Sequence, residues 1–227
     1  MNASHPLLQI HIHKADGSSE TFVQNEEDLA KLILGEFRPE RVFTRDKITI
    51  AGDCSLTSFP VSRVARLDLI SEQLPGWLLP PAMVNALELS EREFHGLLQS
   101  PELAGQLDPV QSLDESVVVF LEVEMAGQPP LFLAMEITGE QLADLPETVA
   151  SLFAAPALCF RMRSGGIAVL NPVHLVGVTL FPGSQPLPPD AWPAQRAKGR
   201  ELPRPEPEIH GPADSPALPA QSLQTVG

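Results

Sequence analysis

Two stretches of this chain share one pattern, and they constrain the fold more than any other feature of the sequence. Residues 56–70 read LTSFPVSRVARLDLI, and residues 167–181 read IAVLNPVHLVGVTLF. Each has a Pro-Val step and then a run of apolar and β-branched residues that is typical of a strand. Pro60-Val61 aligns with Pro172-Val173, and the last four residues of each run also align. We interpret the two stretches as the closing strands of two related modules.

The residues ahead of the first closing strand predict the order strand, strand, helix, strand. Apolar and polar residues alternate in the first segment, as in a strand with one buried face. A later apolar stripe has helical spacing and follows a capping residue. The predicted elements are a strand with Leu8, Ile10 and Ile12 inward, a turn at Asp16-Gly17, a strand at 20–23, a helix capped by Asn25 and ended by Pro39, and a strand at 47–51.

The same order returns about 111 residues later. Val119, Leu121 and Val123 occupy the positions of Leu8, Ile10 and Ile12 in a second predicted strand with Met125 also inward. A capping box, Thr138-Gly139-Glu140-Gln141, predicts the second helix, which Pro146 is expected to kink or restart. The remaining predicted elements are a strand at 158–162, a turn at 164–166 and the closing stretch 167–181.

The sequence therefore predicts an α+β fold built from two tandem, similar β-β-α-β-β modules with antiparallel sheets. The modules are expected at residues 1–71 and 115–183. Residues 72–114 contain a capping box, Ser90-Glu91-Arg92-Glu93, and are expected to form a helical connector. Ten of the 24 prolines fall in the last 44 residues, so 184–227 is predicted to be a disordered, proline-rich tail. The alternative is a chance resemblance between two ordinary α+β stretches.

Negative charge is concentrated in the middle of the chain. The formal net charge is −14, and residues 72–150 hold fourteen acidic residues against one basic residue, Arg92. Such a balance repels phosphate backbones and argues against nucleic-acid binding. It predicts either a solvated acidic face or a docking surface for a basic partner. We find no signal-peptide pattern, and prolines break the most apolar segment, so a cytoplasmic protein without membrane insertion is expected.

One local cluster of positive charge stands out against this acidity. Arg38, Arg41, Arg45 and Lys47 lie between the first predicted helix and the strand that follows it. They are the candidate interaction residues, together with the aromatic Trp77 of the connector's apolar segment. The patch could pair with the acidic middle, within one chain or between chains, or it could be an ordinary exposed mixed surface.

The pair His11 and His13 is the candidate for metal binding. Two histidines at i and i+2 of a strand point to the same face, a spacing found in metal sites. A site needs a further ligand, and the second module has Glu122 and Glu124 at the matching positions. That parallel favours a simple polar face, so the histidines are weak candidates.

The sequence predicts no catalytic residue and no cofactor. Cys159 lies in an apolar strand and Cys54 in a turn, and neither has a legible histidine partner. Asp53-Cys54-Ser55 lacks the frame of a nucleophile elbow, and Ser164-Gly165-Gly166 lacks the lysine of a phosphate loop.

These observations predict a non-catalytic, intracellular protein-interaction or regulatory module that binds a protein partner or itself. The alternative is a ligand-binding protein or a metal-dependent enzyme with a site in the cleft between the modules. The residues expected to line the cleft between the modules are His11, His13, Arg63, Arg66 and His174. A third hypothesis, a structural component of a secretion or phage assembly, has no positive feature in its favour.

Overall fold

The structure is a computed structural model that describes residues 6–52, 54–72, 74, 86–99, 116–138, 141, 144–181 and 192. The candidate Trp77 and, apart from Trp192, the predicted tail at 184–227 lie outside the described residues. Among the described helices, none combines the length and the apolar character needed to cross a membrane.

The described elements form a mixed α+β fold with a large sheet and few helices. The helices are α1 (Glu27–Glu36), α2 (Pro39–Val42), α3 (Glu91–Leu98) and α4 (Leu145–Ala154). The strands are β1 (Leu8–Lys14), β2 (Ser19–Gln24), β3 (Lys47–Ala51), β4 (Leu56–Pro60), β5 (Val64–Ile70), β6 (Leu87–Leu89), β7 (Ser116–Met125), β8 (Leu131–Thr138), β9 (Leu158–Arg161), β10 (Ile167–Leu170) and β11 (Leu175–Phe181).

Nine of the strands form one sheet in the order β11-β7-β8-β6-β9-β10-β5-β1-β2, and β3 and β4 form a separate hairpin. Every pairing in the large sheet is antiparallel except that of β6 with β9. The sequence predicted a sheet for each module, but β10 of the second module pairs with β5 of the first. The two halves of the chain therefore share one sheet.

The sheet carries a hydrophobic core on each face. Register pairs Ile12 of β1 with Leu67 of β5, and Leu67 with Val169 of β10, so these three side chains share the face that α1 and the β3–β4 hairpin cover. The alternate residues Ala168 and Leu170 belong to the second core, with the inward side chains of β7 and β8. All four residues of β10 are buried, as expected for a strand between two cores.

The pairings of the two halves have the same register when 111 is added to each residue number. Leu8 pairs with Gln24, and Val119 pairs with Met135. Gln9 pairs with Ile70, and Phe120 pairs with Phe181. The irregularity where Lys14 pairs with Val64 returns where Met125 pairs with Leu175.

The two halves also touch at their hairpin turns. Gly17 and Gly127 both have positive φ, at 87° and 68°, and their backbones lie against each other. The Gln128 side-chain Nε2 donates a hydrogen bond of 2.8 Å to the carbonyl of Lys14. Asn171 is buried, and its side-chain amide donates to the carbonyls of Val61 and Val64. Backbone and amide contacts thus fasten one half to the other.

Local signals in the sequence identified most elements, with small shifts at their ends. The Ser90 capping box forms as predicted, and Pro146 stands at the start of α4, so it restarts a helix and does not kink one. The first helix is capped at Glu26, not Asn25, and Pro39 begins the short α2. The connector was predicted to be helical, but it also contributes β6, whose three residues are too few to show a period.

Replacing Gly127 by alanine is expected to destabilise the fold by about 2 kcal/mol or more. A Cβ at this position would lie 2.1 Å from the carbonyl oxygen of Ala15, and the φ of 68° is unfavourable for any L side chain. Urea denaturation of the full chain measures the loss.

Gly96→Ala is the matched control, because Gly96 lies inside α3 and has open space around its Cβ position. Alanine at a helix interior is expected to stabilise by about 0.5–1 kcal/mol. Equal effects of the two substitutions would contradict the close approach of the hairpin turns.

Candidate functional site

An apolar groove of about 360 Å³ lies between α1 and the β3–β4 hairpin. We call it the α1–β3 groove. Two leucines of its wall, Leu29 and Leu32, are exposed, whereas Phe37, Val42 and Ile48 at its base are buried. The other residues that line it are Ile10, Gln24, Ile33, Glu36, Arg45, Thr49, Ile50 and Ala51.

Helix α1 forms an apolar wall of this groove because it carries apolar residues on two sides. Ala30 and Leu34 are buried in the first core. Leu29, Leu32 and Ile33, at spacings of three and four residues, form a second stripe that faces the groove. A surface helix normally has one apolar stripe facing its own core. The second stripe leaves Leu32 with 63% of its surface exposed.

The opposite wall is the open edge of β3. Four consecutive residues, 48–51, line the groove, although alternate side chains of a strand point to opposite faces. A cavity that is lined by consecutive residues of one strand therefore lies along the edge of that strand. Among the described strands, β3 pairs with β4 alone, so the groove runs beside backbone that no described strand pairs with.

The hydrogen bonds at both ends of the hairpin identify which backbone groups are unpaired. Val61 N–H donates to the carbonyl of Asp46, and Gly52 N–H donates to the carbonyl of Ser55. Hydrogen-bonded pairs alternate in an antiparallel ladder, so the paired residues of β3 are Ile48 and Ile50. The N–H and C=O groups of the alternate residues point away from β4. These residues are Lys47, Thr49 and Ala51.

One of the four basic residues predicted for interaction, Arg45, is among the residues that line the groove. It pairs with the carboxylate of Glu36 on α1. Arg41 and Lys47 are exposed. Arg38 is held by other contacts of the chain. Segment 38–47 carries four basic residues against Glu40 and Asp46, so it is locally positive in a chain of net charge −14.

The two candidate histidines lie on the opposite face of the sheet. His13 Nε2 is 2.9 Å from Oδ2 of Asp68, a buried carboxylate with 7% of its surface exposed. Arg66 Nε donates to the other oxygen, Oδ1, at 2.5 Å. One carboxylate of β5 thus bridges the imidazole of β1 and the guanidinium of its own strand.

The guanidinium of Arg66 is held on its remaining sides as well. It lies 5.3 Å from the ring centroid of Phe160, donates to the sulfur of Met162 at 3.4 Å, and approaches Glu88 at 3.8 Å. Burial raises the pKa of Asp68, but the hydrogen bond with His13 and the positive charge of Arg66 outweigh it, so the pKa lies below 3.8. These contacts describe a satisfied ionic network between the two halves.

His11 and His13 share one face, as their spacing predicted, with ring centroids 6.5 Å apart. His11 Nδ1 is 3.2 Å from the Thr21 hydroxyl, and its buried Nε2 has no hydrogen-bond partner in the described part of the chain. No group of three histidine, cysteine or acidic residues that could hold a metal ion occurs among the described residues. The weak metal hypothesis gains no third ligand there.

Two further candidates for the cleft, Arg63 and His174, each accept a backbone hydrogen bond near a closing strand. The carbonyl of Arg63 accepts a hydrogen bond from Ala15, and the carbonyl of His174 accepts one from Ala126. Both residues end 3₁₀ turns that precede a closing strand. His174 Nε2 is buried and has no hydrogen-bond partner among the described residues.

The cysteines differ in environment. Cys159 is buried in the first core, as its apolar neighbours predicted, and burial raises the pKa of its thiol to about 12. The thiol is therefore protonated at neutral pH and is a poor nucleophile. Cys54 is a free, exposed thiol in the β3–β4 turn.

Sequence reasoning located the basic residues but missed both the groove beside them and the partners of Arg66. A usable signal existed for the network, because Arg66 and Asp68 interrupt an apolar strand at i and i+2 and so share one face. A signal for the groove was the exposed stripe of α1, which extends beyond one core-facing side. Comparison with protein families, curated proteins and solved structures found no match.

Asp68→Asn is expected to lower the free energy of unfolding by about 3 kcal/mol, since it leaves Arg66 buried without its nearest counter-charge. Urea denaturation at pH 7 measures the change. Lys31→Gln is the control, because its pair with Glu27 is exposed and screened by solvent, so its removal should cost much less. A loss no larger than that of the control would contradict a structural role for the network.

The contribution of Asp68 is also expected to depend on pH. A carboxylate whose folded pKa lies below its unfolded value of 3.8 stabilises the fold fully above that value. The contribution is then lost as the pH falls through the folded pKa. The stability difference between wild type and Asp68→Asn should therefore shrink as the pH falls below 4. A difference that stays unchanged down to pH 2 would contradict this.

Proposed function

We propose that this chain is a non-catalytic, intracellular protein-interaction or regulatory module, and that its partner docks in the α1–β3 groove. The observation that carries the proposal is the exposed apolar stripe of α1 facing an unpaired strand edge. Exposed leucines beside a groove are a costly feature for a free surface and are typical of an interaction site. The exposed residues Arg41 and Lys47, close in sequence to Arg45 of the lining, are assigned to the polar rim of such a site.

The module is further proposed to be the product of a duplication. The shared register at an offset of 111 residues supports a common origin for the two halves, as does the matched irregularity at Lys14 and Met125. The halves then diverged in their hairpins. The β9–β10 hairpin joins the large sheet, while the β3–β4 hairpin stays apart. Among the described strands, that divergence leaves the edge of β3 open, whereas its counterpart β9 pairs on both sides.

The alternative, a ligand-binding or metal-dependent site between the halves, rests on His11, His13, Arg63, Arg66 and His174. Within that set, His13 and Arg66 already bind Asp68 at close range. Groups that satisfy one another in this way have little capacity left for a ligand or a metal. We therefore assign the network to stability and the groove to recognition.

Leu32→Glu tests the groove. Full-length wild type and variant are immobilised, and the proteins that each retains from an extract of the source cells are quantified by mass spectrometry. A charge in the apolar wall is expected to reduce partner retention at least about tenfold, since burying it costs more than 1.4 kcal/mol. Light scattering of the purified chain separates self-association from capture of another protein.

Leu56→Glu is the matched control, because Leu56 is an exposed leucine, with 73% of its surface accessible, that lies outside the groove. It should leave retention unchanged. The proposal fails if wild type and Leu32→Glu retain the same proteins in the same amounts.

A further inference from the structure

We propose that the partner of the α1–β3 groove binds as an extended strand along the open edge of β3, and that its sequence alternates apolar and acidic residues. This inference rests on the proposed function and names the partner's chemistry. It commits to a segment of a protein, recognised by backbone hydrogen bonds together with the side chains on both faces of the added strand.

The backbone of β3 is arranged for such an addition. Lys47, Thr49 and Ala51 direct three N–H and three C=O groups away from β4, and Thr49 and Ala51 line the groove. Within the described residues these groups have no hydrogen-bond partner. An extended peptide satisfies such a row by adding a strand, and the main-chain bonds supply much of the affinity. A helix in the groove would leave the row unsatisfied.

The side chains of β3 determine the alternation in the partner. The side chains of Ile48 and Ile50 face the first core, whereas Lys47, Thr49 and Ala51 are exposed. A partner residue opposite Ile48 or Ile50 points toward the stripe of α1 and is therefore apolar. A partner residue beside Lys47 points to the other face, where a carboxylate pairs across the strands.

Charge favours the acidic partner over a second copy of this edge. Two β3 strands that paired would bring two locally positive segments, 38–47, together on an otherwise acidic protein. Like charges placed opposite each other on neighbouring strands destabilise the pairing. The exposed Lys47 on β3 instead complements a segment that carries carboxylates.

The probe is a fluorescein-labelled heptapeptide, Glu-Val-Glu-Val-Glu-Val-Glu, titrated with the full-length protein and followed by fluorescence anisotropy at low salt. We expect saturable binding that weakens as salt is added, because the charged contacts are exposed. A peptide with lysine in place of each glutamate should not bind. Binding of both peptides, or of neither, overturns the proposal.

N-methylation of the peptide backbone tests the strand geometry directly. An added strand turns the N–H groups of alternate residues toward β3 and the others toward solvent. Methylating one set should abolish binding, and methylating the other should be tolerated. Loss with the glutamate set identifies an antiparallel addition, and loss with the valine set a parallel one. Loss with both sets, or with neither, overturns strand addition.

Thr49→Pro and Ser58→Pro form a matched pair in the protein. Thr49 and Ser58 are directly opposite each other, with their hydroxyls 2.9 Å apart, so each variant loses the same side-chain bond. Proline is tolerated at either outer edge because both N–H groups point away from the hairpin. Thr49→Pro should weaken peptide binding at least about tenfold, and Ser58→Pro less than about twofold. Equal weakening overturns the assignment to the β3 edge.

Lys47→Glu provides a test by charge exchange. The variant should lose affinity for the glutamate peptide and gain affinity for the lysine peptide, whereas a structural defect would weaken binding of the glutamate peptide with no gain for the lysine peptide. These outcomes are independent of the Leu32→Glu capture experiment. If capture depends on Leu32 but the peptide experiments give the results that overturn strand addition, then strand addition is wrong and the interaction function stands. If capture is independent of Leu32, the proposed function itself is wrong.

Discussion

The pairing of β10 with β5 is the interaction on which the rest of this structure depends. It joins the second half of the chain to the first and makes one sheet of nine strands. Because side chains alternate along a strand, β10 delivers Ile167 and Val169 to one core and Ala168 and Leu170 to the other. A slip of one residue would exchange the two sets, so both cores fix the register together.

That shared sheet also explains where polar groups are buried. Asp68 and Arg66 stand on the face of β5 that meets the second core, next to Phe160. An ionised pair is costly there unless each partner is satisfied, and His13, Glu88 and Met162 complete the set. Asn171 plays a comparable role for backbone carbonyls in the turn before β5. The contact between the halves thus depends on a few buried polar bonds as well as on apolar packing.

Local sequence patterns predicted the features that depend on neighbouring residues, such as the inward face of a strand and the start of a helix. Alternation identified the inward residues of β1 and β7, and the capping box located α3. The same patterns do not show which strands are neighbours in the sheet. The sequence of β10 is equally compatible with pairing to β4 or to β5. The open edge of β3 is likewise a property of pairing and not of composition. His11 and His13 were identified as sharing a face, but the carboxylate that holds His13 lies 55 residues away in the sequence.

The β10–β5 pairing has a consequence for how the chain is made. Leu67 meets Val169 across about a hundred intervening residues, and the first core includes Ala157 and Cys159 from the same distant region. The amino-terminal half therefore leaves the ribosome with one side of its core and one edge of β5 uncovered. It waits in that state until the second half is synthesised, since long-range pairing forms only after the loop between the strands closes. We expect the nascent first half to be a substrate for chaperones.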